Sequence, residues 1–285
     1  MTPSIAIVTH QGMPEGVADD KLLEAELRNQ GVQPQFTVWN DKSVDWCEFD
    51  LAVIRSTWDY HLQPAAWLAW IEEVSQITRL MNSAEIIRWN CDKSYLLELA
   101  GKGVAVVPTA APTSAEQMQQ ICNKNGWQDV VIKPTIGASS FGAQRFQGIE
   151  MATAGVQHFQ ELSKKRKVIV QPYQKVIESE KERSLVYIDQ QFSHAFSKPA
   201  FHADLDNQLL KHHEASNEEK YLAQQILNLM PASPVFARID ILPSDSGPLL
   251  MEAELIEPEL ALHFNRNGAA RLAKALIRTA SGIDN

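Results

Sequence analysis

The first 90 residues alternate short apolar segments with longer amphipathic ones. The apolar segments have the length of buried strands and lie at Ile5–Val8, Gln35–Trp39 and Leu51–Ile54. Between them, residues such as Leu23 and Leu27 recur at the three- and four-residue spacing of one helix face. Alternation of short apolar strands with helices predicts a parallel sheet covered by helices. We therefore expect an α/β arrangement at the N-terminus.

The pattern changes from about Asn90 onward. Apolar runs then predict strands at Val104–Val107, Val130–Pro134 and Val168–Val170, with a helix over Asp92–Ala100. In the last third, Ser184–Ile188 pairs with Phe192–Phe196, and Val235–Leu242 pairs with Leu249–Leu255, as two hairpins. The C-terminal part of the chain is therefore predicted to be α+β, with antiparallel strands.

Charge and cysteine content exclude several classes of protein. The 285 residues include 35 acidic and 26 basic ones, a net charge of −9, which disfavours binding to nucleic acid or to an anionic membrane. The three cysteines, Cys47, Cys91 and Cys122, are too few and too dispersed for a disulfide framework or a zinc site. No apolar run approaches the roughly 18 residues of a membrane span, and no signal peptide is recognisable. We expect a soluble cytoplasmic protein.

Three acidic residues lie in the last predicted hairpin. Glu252 and Glu254 are two positions apart on one strand, so they share a face, and pairing across the turn brings Asp240 to them. The strands are otherwise apolar, and burial of unpaired carboxylates is costly. Hard oxygen ligands of this kind favour Mg²⁺, which commonly also binds nucleotide phosphates. An exposed acidic face of an ordinary hairpin is the alternative.

A lysine precedes a loop rich in glycine and serine. Lys133 ends a predicted strand, and Gly137–Gly142 follows, with Ser139 and Ser140 inside it. Glycines let backbone N–H groups approach an anion, and serines add donors. The spacing matches G-x-x-x-x-G, but Ala143 stands where a Walker A loop requires lysine, so this is not a P-loop. On its own, the segment is as well explained by an ordinary turn.

Taken in order, these features resemble the ATP-grasp superfamily of carboxylate–amine ligases. Lys93 opens a helix, Lys133 precedes the loop, and Arg238 stands two residues before the first acid. In that family, two α+β subdomains close over Mg-ATP, and an N-terminal α/β domain helps to form the substrate cleft. The resemblance implies an N-terminal parallel-sheet α/β domain at 1–89 and a two-subdomain ATP-grasp fold at 90–170 and 171–285.

The resemblance also implies roles for individual residues. The ATP-binding residues would be Lys93, Lys133, Gly137, Ser139, Ser140, Gly142, Gln171, Tyr173 and Glu182. Glu178 and Glu180 compete with Glu182 for the place beside the ribose. Lys198 and Arg238 would be catalytic, at the transferred phosphate and the oxyanion. Asp240, Glu252 and Glu254 would hold Mg²⁺, with Mn²⁺ as the alternative ion, although Glu254 stands where the family usually carries asparagine.

Two groups within the superfamily are similar over longer segments. Glu252–Pro258 is spaced as in bacterial glutathione synthetases, but residues 201–213 lack the glycine-rich segment of those enzymes. The ligases that close cycloserine are similar at four places: Arg55–Tyr60, Arg88–Lys93, Glu182–Leu185 with Phe192–Ala195, and Glu254–Glu259. Because many members of that group act on unknown substrates, the resemblance does not define the substrate here.

A substrate-binding segment is predicted after the third strand. Ligands gather at the carboxyl ends of parallel strands, and Arg55, Trp58, Asp59 and Tyr60 follow such an end. Arg55 would clamp a carboxylate, with Trp58 and Tyr60 as apolar walls. Alternatively, Trp58 packs in the core and Arg55 pairs with Asp59. A helix carrying Trp67 and Trp70, taken to be exposed, predicts a homodimer surface.

The leading hypothesis for function is an ATP-dependent ligase. It would activate a small, amino-acid-like carboxylate as an acyl phosphate and join it to an amine, releasing ADP and phosphate. The alternatives are an intramolecular cyclo-ligase of the cycloserine-forming type, a small-molecule kinase, and a non-catalytic nucleotide-binding module. Within the ligase hypothesis, cyclisation requires one substrate besides ATP, and ligation of a carboxylate to a separate amine requires two.

Overall fold

The N-terminal part of the chain is a parallel sheet covered by helices, as predicted. A computed structural model describes residues 2–198 and 210–283. The strands β1 (Ile5–Thr9), β2 (Gln35–Val38), β3 (Leu51–Ile54) and β4 (Arg79–Met81) lie in the order β2-β1-β3-β4 and are all parallel. Helices α1 (Ala18–Asn29) and α2 (Pro64–Ser75) connect them. The short strand β4 was not predicted, because it offers only three residues of pattern.

A second, antiparallel sheet follows two short helices. The helices are α3 (Ala84–Cys91) and α4 (Tyr95–Gly101); the strands are β5 (Asp129–Pro134), β6 (Gln144–Gln147) and β7 (Val168–Pro172). The central strand β5 pairs with both neighbours. Helices α5 (Ala115–Asn125) and α6 (Val156–Ser163) cover one face, where Val130 and Ile132 are buried. Because side chains alternate along a strand, Lys133 points from the opposite face.

The third sheet is antiparallel and contains both predicted hairpins. Its strands are β8 (Glu182–Ile188), β9 (Gln191–Lys198), β10 (Lys211–His213), β11 (Phe236–Leu242) and β12 (Leu249–Glu254), in the order β10-β9-β8-β11-β12. Helices α7 (Val176–Glu180), α8 (Asn217–Asn228) and α9 (Arg266–Ala280) complete the fold. Residues 201–213 are the ones that lack the glycine-rich segment of glutathione synthetases. Of these, 201–209 lie outside the described residues.

One hydrophobic core joins the N-terminal sheet to the third sheet. It contains Ile7 and Leu27 from the first 89 residues, together with Val186, Phe236 and Leu276 from the last third. The helices α1 and α9 pack against each other in this core. Helix α3 spans the predicted boundary at residue 89, and apolar packing continues across that position.

Two predicted elements differ from the structure. Val104–Val107 forms a single bridge, from Val106 to Leu250, instead of a strand. The helix expected over Asp92–Ala100 is interrupted at its start, because the Asp92 carboxylate accepts hydrogen bonds from the N–H and hydroxyl of Ser94 at 2.9 and 2.6 Å. Such local bonding by aspartate competes with helix formation.

The predicted exposed tryptophan surface is wrong. Trp67 and Trp70 are 0% and 8% exposed, and their rings stack at 5.0 Å. Trp39 meets Trp67 edge-on at 5.2 Å. These rings face the parallel sheet that α2 covers, so they cannot form a dimer surface.

The sequence predicts neither a disulfide framework nor a membrane span. Cys47, Cys91 and Cys122 are all free. Among the described helices, none has both the length and the apolar composition that crossing a membrane requires.

Candidate active site

One face of the third sheet collects most of the predicted catalytic and metal-binding residues. Alternation puts Glu252 and Glu254 on the same face of β12. The register places Asp240 opposite Glu252, and Arg238 opposite Glu254. On the other side of β11, Ser184 is the partner of Asp240. The register of the neighbouring hairpin pairs Glu182 with Lys198, which extends this charged face across four strands.

The carboxylates of this face are ion-paired with basic side chains. Asp240 accepts from Lys198 Nζ at 2.6 Å and from Arg238 Nη2 at 2.9 Å, and it receives the Ser184 hydroxyl at 2.6 Å. Glu182 binds Lys198 at 2.6 Å, and Glu254 binds Arg238. The arrangement explains how charged groups are tolerated at a buried position, since each is compensated by its neighbour.

The predicted magnesium ligands form ion pairs instead of an open metal-binding cluster. No group of three or more His, Cys, Asp or Glu among the described residues is arranged to hold a metal ion. Glu252 is bound to Lys93 at 2.9 Å, and Arg238 bridges Asp240 and Glu254. The donor chemistry nevertheless fits Mg²⁺, because all three are hard oxygen ligands on one face.

Among the described residues of the predicted site, four positive side chains lie with four negative ones. The positive ones are Lys93, Lys133, Lys198 and Arg238, and the negative ones are Glu182, Asp240, Glu252 and Glu254. A triphosphate would supply new acceptors for the ammonium and guanidinium groups. Carboxylate oxygens released from these pairs would then be available to a divalent cation.

Burial and neighbouring charges shift the pKa values of these carboxyl groups in opposite directions. Burial opposes ionisation of Asp240, but Arg238 and Lys198 outweigh it and hold its pKa below the usual range. Burial raises the pKa of Glu254 to about 7, although Arg238 opposes this. Burial and the charge of Glu254 raise the pKa of Glu257 to about 8. The site therefore contains carboxyl groups that change charge near neutral pH.

Glu257 should make stability depend on pH. Its pKa is raised from 4.5 to about 8, so between these values the folded state binds more protons than the unfolded state, and stability falls as pH rises. Glu257→Gln cannot ionise, so at pH 8 its free energy of unfolding should exceed that of the wild type by about 4 kcal/mol, or roughly 10 °C in Tm, with little difference at pH 4.5. Thermal melts at both pH values measure this. The exposed Glu150→Gln should keep the wild-type dependence, and equal slopes for all three proteins would exclude Glu257 as the cause.

Lys133 is buried at the end of β5 and is 9% exposed. Within the described residues, its ammonium group makes no hydrogen bond or ion pair, and burial lowers its pKa while the charge of Glu252 opposes this. A buried cation without a direct partner is the feature expected of an anion site. Lys93 contacts both halves of the site, since its Nζ donates to the carbonyl of Gly137 at 2.7 Å and pairs with Glu252.

The glycine-serine loop lies against the N-terminal sheet domain. Ser139, Ser140 and Gly142 have positive φ values of 48°, 58° and 67°. Between them, Phe141 packs on the His61 ring at 4.7 Å and under the Arg166 guanidinium at 4.9 Å. The loop is thus held between the two parts of the chain. His61 and Arg166 were missed, because neither stands beside the loop in sequence.

Gln171 and Tyr173 lie on and just after β7. Gln171 is 1% exposed and donates to the Thr109 hydroxyl at 2.9 Å, while its Oε1 atom has no partner among the described residues. Tyr173 stacks on Arg145 at 3.4 Å and donates its hydroxyl to Glu178 at 3.0 Å. An unpaired buried acceptor on the Lys133 side of the sheet is available to a ligand.

The three competing acids have different surroundings. Glu178 binds Tyr173 and the Arg145 guanidinium, and Glu180 pairs with Arg183 at the surface. Glu182 faces Lys198, within the charged face. Glu182 is therefore the acid that lies with the other predicted site residues.

The structure places Arg55 differently from either prediction. It is 2% exposed, and its Nε and Nη2 atoms donate to Asp20 at 3.1 Å and to Asp19 at 3.2 Å. Asp59 instead accepts from Trp39 Nε1 at 2.8 Å. Two buried carboxylates already neutralise the Arg55 charge, and its Nη1 atom has no partner among the described residues. The alternative Arg55–Asp59 pair is wrong, and the substrate clamp stays a prediction.

Trp58 and Tyr60 also make internal contacts. Trp58 Nε1 donates to the carbonyl of Glu257 at 3.0 Å, and Tyr60 is 4% exposed, packed on the Trp67 ring at 5.1 Å. Tyr60 is thus part of the core under α2 instead of a wall of a cleft. Trp58 connects the predicted substrate segment to the residues that follow β12.

Asp19 was missed by the sequence analysis, and it supports the segment after β12. Its carboxylate accepts the backbone N–H groups of Leu260 at 2.9 Å and Leu262 at 2.6 Å, besides the Arg55 bond. Acidic residues in a first helical turn are common, because they favour the helix dipole, so the sequence gives no signal of this role.

Asp19→Ala should lower the free energy of unfolding by about 3 kcal/mol. The substitution removes a buried charge partner of Arg55 and leaves two buried N–H groups without an acceptor. Urea denaturation measures the change. Glu26→Gln, on the same helix, should stay within about 0.5 kcal/mol of the wild type. A similarly small effect for Asp19→Ala would contradict the supporting role.

Comparison with a solved structure identifies the fold. The chain superposes on a RimK domain ATP-grasp protein from Sphaerobacter thermophilus with a TM-score of 0.74, at 16% identity, over 96% of this chain and 99% of the other. At this identity the likeness concerns the fold alone. Three sheets with these connections are therefore an ATP-grasp fold, as the sequence resemblance implied.

Closer similarity narrows the class to one family. The cycloserine biosynthesis protein DcsG of Streptomyces lavendulae is 33% identical over 273 residues, which cover 90% of this chain and 91% of that protein. The crystal structure of D-cycloserine synthetase DcsG superposes with a TM-score of 0.89, at 30% identity, over 97% of this chain and 99% of the other. The family model "D-cycloserine synthetase DcsG, N-terminal domain" matches residues 5–82. The chain belongs to the DcsG family of ATP-grasp proteins.

Proposed function

We propose that this protein is an ATP-dependent ligase that converts a small carboxylate to an acyl phosphate and joins it to an amine. One observation supports the proposal most strongly: Lys93 binds both Gly137 of the glycine-serine loop and Glu252 of the charged face. Phosphate-binding cations and metal-binding carboxylates are both needed for phosphoryl transfer, and here one residue links them.

The chemistry requires these charges. A carboxylate resists attack by an amine because oxide is a poor leaving group. Attack of its oxygen on the γ-phosphorus forms an O–P bond and breaks the bond to ADP; attack of the amine then forms a C–N bond, and phosphate leaves as the amine loses a proton. Lys93 and Lys133 would bind the phosphates, and Lys198 and Arg238 would stabilise charge on the transferred group and on the tetrahedral oxyanion.

Asp240, Glu252 and Glu254 are the proposed metal ligands. The positive charge that Mg²⁺ or Mn²⁺ supplies when bound would neutralise phosphate oxygens during transfer. Glu182 would lie beside the ribose, and Gln171 and Tyr173 beside the adenine. The loop containing Gly137, Ser139, Ser140 and Gly142 would cover the phosphates and keep water from the acyl phosphate.

Family membership supports a second, narrower candidate function. The relative that is 33% identical is named for cycloserine biosynthesis, and the superposed crystal structure is a D-cycloserine synthetase. We propose on this basis that carboxylate and amine belong to one small amino-acid-like substrate, which the enzyme closes to a ring. The proposed domains are the substrate domain at 1–89 and the two nucleotide-binding subdomains at 90–170 and 171–285.

The test is ADP release from Mg-ATP across a panel of amino acids and small amines, offered singly and in pairs. Mass spectrometry of each stimulated reaction identifies the product. A single compound that loses the mass of water supports cyclisation, and a pair joined with loss of water supports two-substrate ligation. A stable phosphorylated product without a new C–N bond would overturn the ligase proposal in favour of a kinase.

A further inference from the structure

Beyond the backbone bridge between Val106 and Leu250, side chains close the outer edge of β12 within the described residues. On its inner side, β12 pairs with β11, and it is the last strand of the sheet. On its outer side, Asn90 Nδ2 donates to the carbonyl of Ala253 at 2.7 Å, and Asn90 Oδ1 accepts the N–H of Leu255 at 2.9 Å. One amide thus supplies the donor and the acceptor that a neighbouring strand would supply.

A second side chain binds the same residue. The Tyr95 hydroxyl donates to the carbonyl of Ala253 at 3.0 Å and accepts its N–H at 2.9 Å. Asn90 and Tyr95 are 8% and 3% exposed, so water does not compete for these bonds. Ala253 is the residue between Glu252 and Glu254, and both of its backbone polar groups are held.

The segment that carries these side chains also carries Lys93. The Lys93 N–H donates to the carbonyl of Thr135 at 2.9 Å, next to the end of β5, while its ammonium group pairs with Glu252. Residues 90–95 therefore contact β12 through Asn90 and Tyr95, and the Lys133 strand through Lys93. The short segment 90–95 therefore contacts both β12, which carries Glu252 and Glu254, and the residue that follows the end of β5.

We infer that Asn90 and Tyr95 are positioning residues, which hold β12 so that Glu252 and Glu254 present their oxygens correctly to a divalent cation. The inference rests on the proposed function, because it takes these carboxylates as the metal ligands. The backbone bridge to Val106 restrains β12 only at Leu250, so within the described residues the part that carries Glu252 and Glu254 has no second ladder, and a metal site tolerates little displacement of its ligands. Neither residue touches the cation or the nucleotide in this role.

Manganese binding to the full-length protein tests this. Mn²⁺ is titrated in the presence of the non-hydrolysable analogue AMPPNP, and free Mn²⁺ is followed by electron paramagnetic resonance. Asn90→Ala and Tyr95→Phe should each raise the Kd for Mn²⁺ about tenfold, the usual effect of losing a partner outside the ligand set. The affinity of each variant for AMPPNP without metal should be unchanged. In a separate assay with ATP, excess Mn²⁺ should restore the rate of ADP release.

Matched controls separate positioning from folding. Asn123→Ala and Tyr221→Phe remove the same groups from exposed positions and should bind Mn²⁺ as the wild type does. Melting temperatures confirm that each variant is folded at the assay temperature. If Asn90→Ala fails to fold, Tyr95→Phe, which loses only a hydroxyl, carries the test.

Different results would overturn the proposed metal site and the positioning role of Asn90 and Tyr95. If wild-type protein with AMPPNP does not bind Mn²⁺, or if Glu252→Gln binds it equally well, the proposed metal site is wrong. If the wild type binds Mn²⁺, Glu252→Gln does not, and folded Asn90→Ala and Tyr95→Phe match the wild type, the positioning role alone is overturned.

Discussion

Lys133→Ala is expected to reduce the rate of ADP release about a thousandfold, with the fold intact. The ammonium group is buried at the end of β5, beside the charged face, where the charge of Glu252 acts on it without a direct ion pair among the described residues. Its removal breaks no ion pair among the described residues, but a bound triphosphate would lose a buried cation. Steady-state assays with the substrate found in the panel, together with thermal melts, measure both effects.

Lys167→Ala is the matched control for this variant. Lys167 precedes β7 and pairs with Asp92 only at 3.6 Å, with a side chain that is 79% exposed. Exposed pairs of this kind contribute little, so activity and stability should remain at the wild-type level. Full activity in Lys133→Ala would show that phosphate is bound elsewhere.

Asp240→Asn is expected to lower ADP release by a similar factor of about a thousand, and in addition to reduce stability. Asp240 is 1% exposed and accepts bonds from Lys198, Arg238 and Ser184. Loss of its charge removes a proposed metal ligand and leaves Lys198 and Arg238 without one of their carboxylate partners. Because losing one partner of a buried ion pair is costly, the free energy of unfolding should fall by about 3 kcal/mol. Urea denaturation and the ADP assay report the two effects separately.

Asp245→Asn tests whether any loss of acid from this hairpin matters. Asp245 is exposed in the turn between β11 and β12, on the same hairpin as Asp240. Its replacement should change neither activity nor stability appreciably. An Asp240→Asn variant that turns over ATP at the wild-type rate would remove the charged face from the reaction.

Side-chain alternation explains why the charged face was predictable. Glu252 and Glu254 are two apart on a strand, and a hairpin turn of moderate length leaves few registers, so Asp240 could be placed beside them. The parallel order of the first sheet follows equally from the strand–helix alternation. In both cases a local rule, applied to contiguous residues, determines the neighbours.

Arg55 marks the limit of such rules. Its partner Asp20 is 35 positions away, on a helix whose acidic first turn has an ordinary local explanation. The bonds of Asn90 to Ala253 span 163 positions and depend on how α3 meets the edge of β12. Long-range pairing of this kind depends on tertiary packing, which a single sequence does not reveal.

The core shared by the first and last parts of the chain bears on protein engineering. Residues 1–89 are contiguous in sequence, but Asp19 holds the backbone at Leu260 and Leu262, and α1 packs against α9. A chimaera that exchanged only 1–89 would expose α9 to a foreign surface and leave those N–H groups without their acceptor. Residues 258–283 would therefore have to be exchanged together with 1–89, and the core contacts that Val186 and Phe236 make with this discontinuous unit would have to be kept.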